Sequence, residues 1–145
     1  MKHYCTKKIT LGSTAFRQPN AKSHCRFLHG YNLEAKFYFM SDKLDSNNWV
    51  VDFGSLKDLK RVLGHHFDHK TIIAEDDPHI EYFKKLHYLE VVDLVFMESV
   101  GIEKFAEFCL KKANQVVKNK ENNAKCYKVE VFEHEKNSAI AEIEN

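Results

Sequence analysis

The sequence predicts an α+β fold with antiparallel strand pairing. Strand-like segments follow one another closely at the start of the chain, while the main helix-like segments come later and largely together. The apolar spacing also changes, from every second residue in the early segments to every third or fourth residue after position 55. The length of 145 residues fits one domain, residues 1–145.

The first two strands are predicted over residues 4–16 and 31–40. The second alternates clearly. Its predicted apolar face consists of Tyr31, Leu33, Ala35, Phe37 and Phe39. Residues 42–48 resemble a turn, and residues 49–51 are predicted to form a short extended piece.

Two helices are predicted next. Leu56, Leu59 and Leu63 are spaced as one face of a helix over residues 55–64, and Gly64 is placed to end it. A proline at position 78 opens a second, short helix that is predicted to run to position 86.

The remaining elements are strands around one long helix. Residues 89–97 are rich in Val and Leu and predict a strand, and residues 102–117 predict an amphipathic helix. Residues 126–132 alternate as a strand, and residues 139–143 predict a short final strand.

The composition excludes several classes of protein. Lys and Arg total 22 against 21 for Asp and Glu, so the charge does not indicate nucleic acid or an anionic membrane as a partner. The first ten residues are polar, without the apolar run of a signal peptide, and we expect a cytoplasmic protein. In a reducing cytosol Cys5, Cys109 and Cys126 are expected to be buried apolar side chains and not disulfide partners.

The densest group of reactive side chains lies just before the second strand. Cys25 and His29 are four residues apart, and His24 and Arg26 flank the thiol. A thiol beside cationic side chains can act as a base or a nucleophile. The plainer alternative is a buried cysteine followed by a histidine at a strand end.

Asp68 and His69 form a second candidate pair, after the adjacent histidines His65 and His66. An aspartate beside a histidine can fix the imidazole tautomer for acid–base work. Neighbouring residues on a strand point to opposite faces, so the pair can cooperate only at a loop or a helix end. The alternative is a solvated polar helix end, or adventitious metal binding by the two histidines.

A third candidate is Glu133, which shares its predicted strand face with Val129 and Val131. A carboxylate on an apolar face is costly unless it is paired. A heterocycle with two adjacent N–H donors, such as the guanidine-like edge of a pterin, is a suitable partner. A solvated strand end would also explain the residue.

In their order and spacing these groups resemble the 6-pyruvoyl-tetrahydropterin and 6-carboxy-tetrahydropterin synthase family. The Cys-x-x-x-His-Gly-His run of that family is similar to residues 25–31, with Tyr31 at the last position, and its Asp-Phe-x-x-Leu-Lys segment is similar to residues 52–57. Its Leu-Asp-His loop resembles residues 67–69, and its final strand ending in Glu resembles residues 129–133.

The resemblance implies a T-fold: an antiparallel four-stranded sheet with two main helices on one face. It also implies a trimer or hexamer with sites at subunit interfaces, acting on dihydroneopterin triphosphate in a pterin or queuosine (deazaguanine) pathway. Cys25, Asp68 and His69 then match the proton-moving set, and Glu133 matches the residue that anchors the ring.

The family's three zinc histidines fall at the positions of Phe16, His29 and Tyr31, so His29 alone keeps a metal-binding side chain. A zinc ion would need substitute ligands, such as His24 or a histidine of another subunit. Two functions therefore stay open. One is a synthase of lyase type with altered metal chemistry or an altered substrate. The other is a metal-free, non-catalytic oligomer that binds a pterin or purine.

Overall fold

The computed structural model describes residues 1–144, so the last residue of the predicted domain, residue 145, lies outside the described range. One mixed sheet of six strands, in the order β4-β3-β1-β2-β5-β6, organises the fold. The strands are β1 (His3–Phe16), β2 (His29–Ser41), β3 (Lys70–Ala74), β4 (Leu94–Met97), β5 (Lys125–His134) and β6 (Asn137–Glu142). The helices are α1 (Lys57–Phe67), α2 (Ile80–Tyr88) and α3 (Ile102–Val116).

The predicted four-stranded antiparallel sheet is present as β1, β2, β5 and β6, which pair antiparallel in turn. The structure adds two strands, because β3 pairs parallel with β1 and β4 pairs parallel with β3. Sequence reasoning missed β3. Its five residues are too short for a periodic pattern, and four of them are buried.

The core lies between this sheet and the two longer helices. Helix α1 packs on β1, α3 packs on β5 and β6, and the two helices contact each other. The predicted apolar face of β2 is confirmed from Leu33 to Phe39, where every second side chain is at most 1% exposed. Phe105 of α3 packs edge-to-face on Phe16 at 5.1 Å and on Phe67 at 5.3 Å between ring centres, which ties both helices to the sheet.

Three predictions of secondary structure are wrong: one helix end, one short extended segment and the length of one strand. Gly64 does not end α1, because Phe67 extends the buried face by one more turn and is fully buried. Residues 49–51 form no strand, since Asn119 and Asn122 donate side-chain hydrogen bonds to the Val50 carbonyl in place of a neighbouring strand. The predicted strand over residues 89–97 shrinks to β4, because α2 runs to Tyr88.

The cysteines are free thiols. Cys109 and Cys126 are buried as predicted, and burial raises the pKa of the Cys126 thiol to about 12. Cys5 is only half-buried, whereas Cys25 is exposed. No helix within residues 1–144 is long and apolar enough to cross a membrane.

His66 of α1 is a polar side chain held in an apolar setting. Its ring stacks on Phe108 with 4.0 Å between centres, and its Nε2 atom is buried without a hydrogen-bond partner among the described residues. Burial, with the nearby charges of Lys112 and His65, lowers the pKa of His66 from 6.5 to about 4. Between these two pKa values the unfolded chain binds the proton more readily, so stability falls as the pH falls.

We therefore expect His66 to make the protein acid-sensitive. From pH 7 to pH 5 this residue should lower the free energy of unfolding by about 1 kcal/mol, a value discounted because the ring is only half-buried. In His66→Leu this part of the pH dependence should vanish, whereas His24→Gln, at an exposed position outside α1, should keep it. Denaturant unfolding at both pH values measures the difference, and equal slopes for wild type and His66→Leu would contradict the assignment.

Candidate functional site

Three of the predicted site residues line one cleft. Cys25, His29 and Glu133 come from the loop after β1, the start of β2 and the end of β5. The cleft has a volume of about 480 Å³. Its other lining residues are Phe16, Gln18, Ile102, Glu103, Lys136, Asn137 and Ser138.

Cys25 lies in a short 3₁₀ turn, His24–Arg26, on the exposed loop that joins β1 to β2. The turn is capped by the Ser23 hydroxyl, which accepts a 3.4 Å hydrogen bond from the Cys25 N–H. The Gln18 N–H donates to the Cys25 carbonyl at 2.8 Å. These two hydrogen bonds to the Cys25 backbone fix the position of its Cα atom, from which the thiol side chain extends.

His29 sits in a group of aromatic rings at the end of the β1–β2 pair. Its ring centre lies 4.8 Å from that of Phe16 and 5.6 Å from that of Tyr31, and the last two are 6.1 Å apart. The Nδ1 atom of His29 is 2.7 Å from the Phe27 carbonyl. Because a carbonyl can only accept, Nδ1 is the donor in this contact, and in the neutral form of the ring Nε2 is then the nitrogen with a lone pair.

The three ring positions have the spacing of a metal site but not its chemistry. Imidazoles bound to one tetrahedral zinc ion have ring centres roughly 5 Å apart, since each Zn–N bond is about 2 Å. Phe16 has no donor atom, however, and within residues 1–144 no three His, Cys, Asp or Glu side chains converge as metal ligands. His24, the predicted substitute, contacts Phe27 and is not among the cleft-lining residues. The side chains of one chain therefore do not fit a catalytic zinc ion.

The negative charge of Glu133 affects the pKa of Tyr31 in this group of rings. Burial raises the pKa of the Tyr31 phenol, and the charges of Glu133 and Cys25 raise it further. Tyr31 therefore stays a neutral hydroxyl close to the carboxylate. Glu133 itself is half-buried, at a point where the β5–β6 pairing becomes irregular.

Asp68 and His69 contact each other, with 2.9 Å between Oδ1 and Nδ1. They follow the end of α1, and His69 has a φ of 60°, which lets two adjacent side chains meet. The Asp68 carboxylate also accepts the Ser13 N–H at 3.1 Å, and it occupies the space that a Cβ atom would fill at Gly12, where φ is 111°. The pair lies outside the cleft, with 47% of the Asp68 and 84% of the His69 side chain exposed.

Two charged residues that line the cleft, Glu103 and Lys136, were not predicted from the sequence. Glu103 lies in the first turn of α3, and Lys136 lies in the turn between β5 and β6. Glu103 fits the common preference for an acidic residue in the first turn of a helix, and that pattern does not by itself indicate a cleft. No local pattern indicates that Lys136 lines the cleft. Together the charged groups offer two carboxylates for N–H donors and one ammonium for an anion.

Comparisons with known proteins agree with this architecture. Residues 4–144 match the family described as 6-pyruvoyl tetrahydropterin synthase. The 6-carboxy-5,6,7,8-tetrahydropterin synthases of Rickettsia typhi and Rickettsia conorii are each 34% identical, over 77 and 74 residues. These alignments cover 52% and 50% of this chain, and 55% and 53% of the relatives, so the chain spans about half the length of the curated relatives it matches.

Solved structures share the fold at lower identity. An uncharacterized protein from Wolinella succinogenes superposes with a TM-score of 0.86 at 20% identity, over 99% of both chains. The 6-pyruvoyl tetrahydropterin synthase of Plasmodium vivax superposes with a TM-score of 0.67 at 16% identity, again over 99% of both. The architecture is thus the T-fold, enlarged by β3 and β4. The family match over nearly the whole chain shows that this protein belongs to the 6-pyruvoyl tetrahydropterin synthase family.

Proposed function

We propose that the chain is a synthase of lyase type that acts on a pterin similar to dihydroneopterin triphosphate, in a pterin or queuosine (deazaguanine) pathway in the cytoplasm. The observation that carries the proposal is the meeting of Cys25, His29 and Glu133 in one cleft. Its volume of about 480 Å³ lies in the range of small-molecule sites. The names of the Rickettsia and Plasmodium relatives support the pterin class.

Glu133 would anchor the heterocycle. An ionised carboxylate accepts two parallel N–H bonds, which the amino-pyrimidine edge of a pterin can donate. Glu103 lines the same cleft and offers a second acceptor. Lys136 would attract an anionic side chain of the ligand, since its ammonium is a cleft-lining cation.

Cys25, Asp68 and His69 would move protons. In a lyase step a base removes a proton from carbon, and the electron pair forms the double bond as the leaving group departs from the neighbouring carbon. The position of Cys25 in the cleft lining supports this role. Asp68 and His69 are exposed beside Gly12, so we propose that the pair of a neighbouring subunit in a trimer or hexamer completes the site.

A second function is favoured by the residues at positions 16 and 31. Phe16 and Tyr31 remove two of the three metal ligands expected from the family resemblance. A metal-free, non-catalytic oligomer that binds a pterin or purine would need Glu133 and the cleft, but no proton-moving set.

Substitution of Glu133 tests ring binding, which both functions require. We expect Glu133→Gln to weaken the binding of a fluorescent pterin by roughly 10- to 100-fold, since a hydrogen bond to a charged group contributes about 1.5–3 kcal/mol. Glu135→Gln, on the exposed turn two residues away, is the matched control and should bind as wild type does. Unchanged binding in Glu133→Gln would remove the pterin proposal.

Substitution of Cys25 separates the two functions. With dihydroneopterin triphosphate as the substrate, Cys25→Ala should lose about 10²- to 10⁴-fold in turnover while keeping its affinity for the pterin. Cys5→Ala, at a half-buried position outside the cleft, should retain turnover. Ligand binding by the wild type without turnover would favour the binding protein.

Metal content tests the altered ligand set. We expect the purified wild type to hold well under one zinc ion per subunit and to show no rise in Tm with added zinc. The double variant Phe16→His, Tyr31→His should gain about one zinc ion per subunit and a zinc-dependent rise in Tm, because three imidazoles complete the site. A tightly held zinc ion in wild type that is lost in His24→Ala would show that His24 has replaced a missing ligand.

A further inference from the structure

Arg17, the residue after β1, makes a buried ion pair with Asp77 in the turn between β3 and α2. Its Nε atom donates to Oδ2 at 2.8 Å and its Nη2 atom donates to Oδ1 at 3.1 Å. The third nitrogen, Nη1, donates to the Arg26 carbonyl at 2.9 Å. One guanidinium therefore joins the sheet, the α2 turn and the residue next to Cys25.

The pair is shielded from water, since the side-chain exposure is 15% for Arg17 and 0% for Asp77. Burial alone would raise the pKa of Asp77, but hydrogen bonds from Arg17 and from the His79 N–H, with the Arg17 charge, hold it below its usual value. Asp77 is thus ionised and its oxygens are occupied by donors. A bidentate pair with satisfied acceptors fixes the guanidinium in one orientation.

The loop that carries Cys25 has little else to hold it. Residues 22–28 are all exposed, and Phe27 and Leu28 remain 55% and 44% exposed. Few buried apolar contacts mean that such a segment opens easily. Its hydrogen bonds to the rest of the fold are those from Arg17 to the Arg26 carbonyl, from the Gln18 N–H to the Cys25 carbonyl and from His29 to the Phe27 carbonyl.

We infer that the Arg17–Asp77 pair is a positioning device that holds the Cys25 loop against the cleft. The inference rests on the proposed function only in giving Cys25 a chemical task. A purely structural role would predict a different result, because the pair would then support only the turn before α2, where Asp77 accepts the His79 N–H. Mobility of the Cys25 loop distinguishes the two roles.

Removing one partner alone would leave a buried charge and could unfold the chain. The main variant is therefore Arg17→Met, Asp77→Leu, which replaces both charges with apolar side chains of similar size. A second variant, Arg17→Lys, keeps a positive charge beside Asp77. It lacks the planar guanidinium that donates to both Asp77 and the Arg26 carbonyl. Arg61→Gln removes an exposed arginine, paired with Asp58 at 3.8 Å, and is the matched control.

The readout is amide hydrogen exchange of residues 22–28, followed by mass spectrometry on protein that unfolds cooperatively. In the folded loop the Arg26 and Phe27 N–H groups donate to the Ser23 and His24 carbonyls. We expect these amides to exchange about threefold faster or more in both Arg17 variants and not in Arg61→Gln, because the loop opens more often. With substrate, kcat should fall about 10- to 100-fold while KM changes little, because a misplaced group costs rate more than binding.

Unchanged amide exchange of residues 22–28 in a folded double variant would overturn the inference and leave the pair a structural link. The exchange test needs no ligand, so its result stands even if no pterin binds. Failure of Glu133→Gln to affect pterin binding would instead count against the proposed function alone.

Discussion

The antiparallel pairing of β1 with β2 is the constraint on which the site depends. In its register Phe16 lies opposite His29, Ala15 opposite Gly30 and Thr14 opposite Tyr31. Gly30 permits the close approach, because a Cβ atom there would lie 2.7 Å from the Thr14 carbonyl oxygen. A slip of one residue in β2 would turn His29 and Tyr31 to the face opposite Phe16 and separate the three rings.

The same strand also places the Asp68–His69 pair. The β1–β2 register shifts between Thr10 and Gly12, and the glycine at this bulge leaves space for the Asp68 carboxylate. The pair is therefore fixed beside the bulge, while the cleft is fixed at the end of the strand. Within one chain, β1 thus holds the two groups of reactive side chains apart.

The sequence predicts the parts of the fold and site that follow a local period. Alternation in β2 identifies the core face, and the same alternation assigns Glu133 to the face of Val129 and Val131. Strand β3 and the parallel pairing of β3 and β4 could not be predicted locally, because this pairing depends on residues far apart in the chain. Lys136 reaches the cleft through the β5–β6 turn, a tertiary placement that no nearby residue encodes.

Position 16 shows how packing and metal chemistry compete at the end of the core. Phe16 is 2% exposed and packs edge-to-face on Phe105, so it belongs to the core as much as to the cleft. An imidazole there would bury a ring nitrogen, and that nitrogen would need a metal ion or another partner to offset its lost hydration. A phenyl ring needs no such partner. The apolar ring therefore strengthens the core and removes a ligand position, while Glu133, at the end of β5, keeps its half-buried place at the cleft.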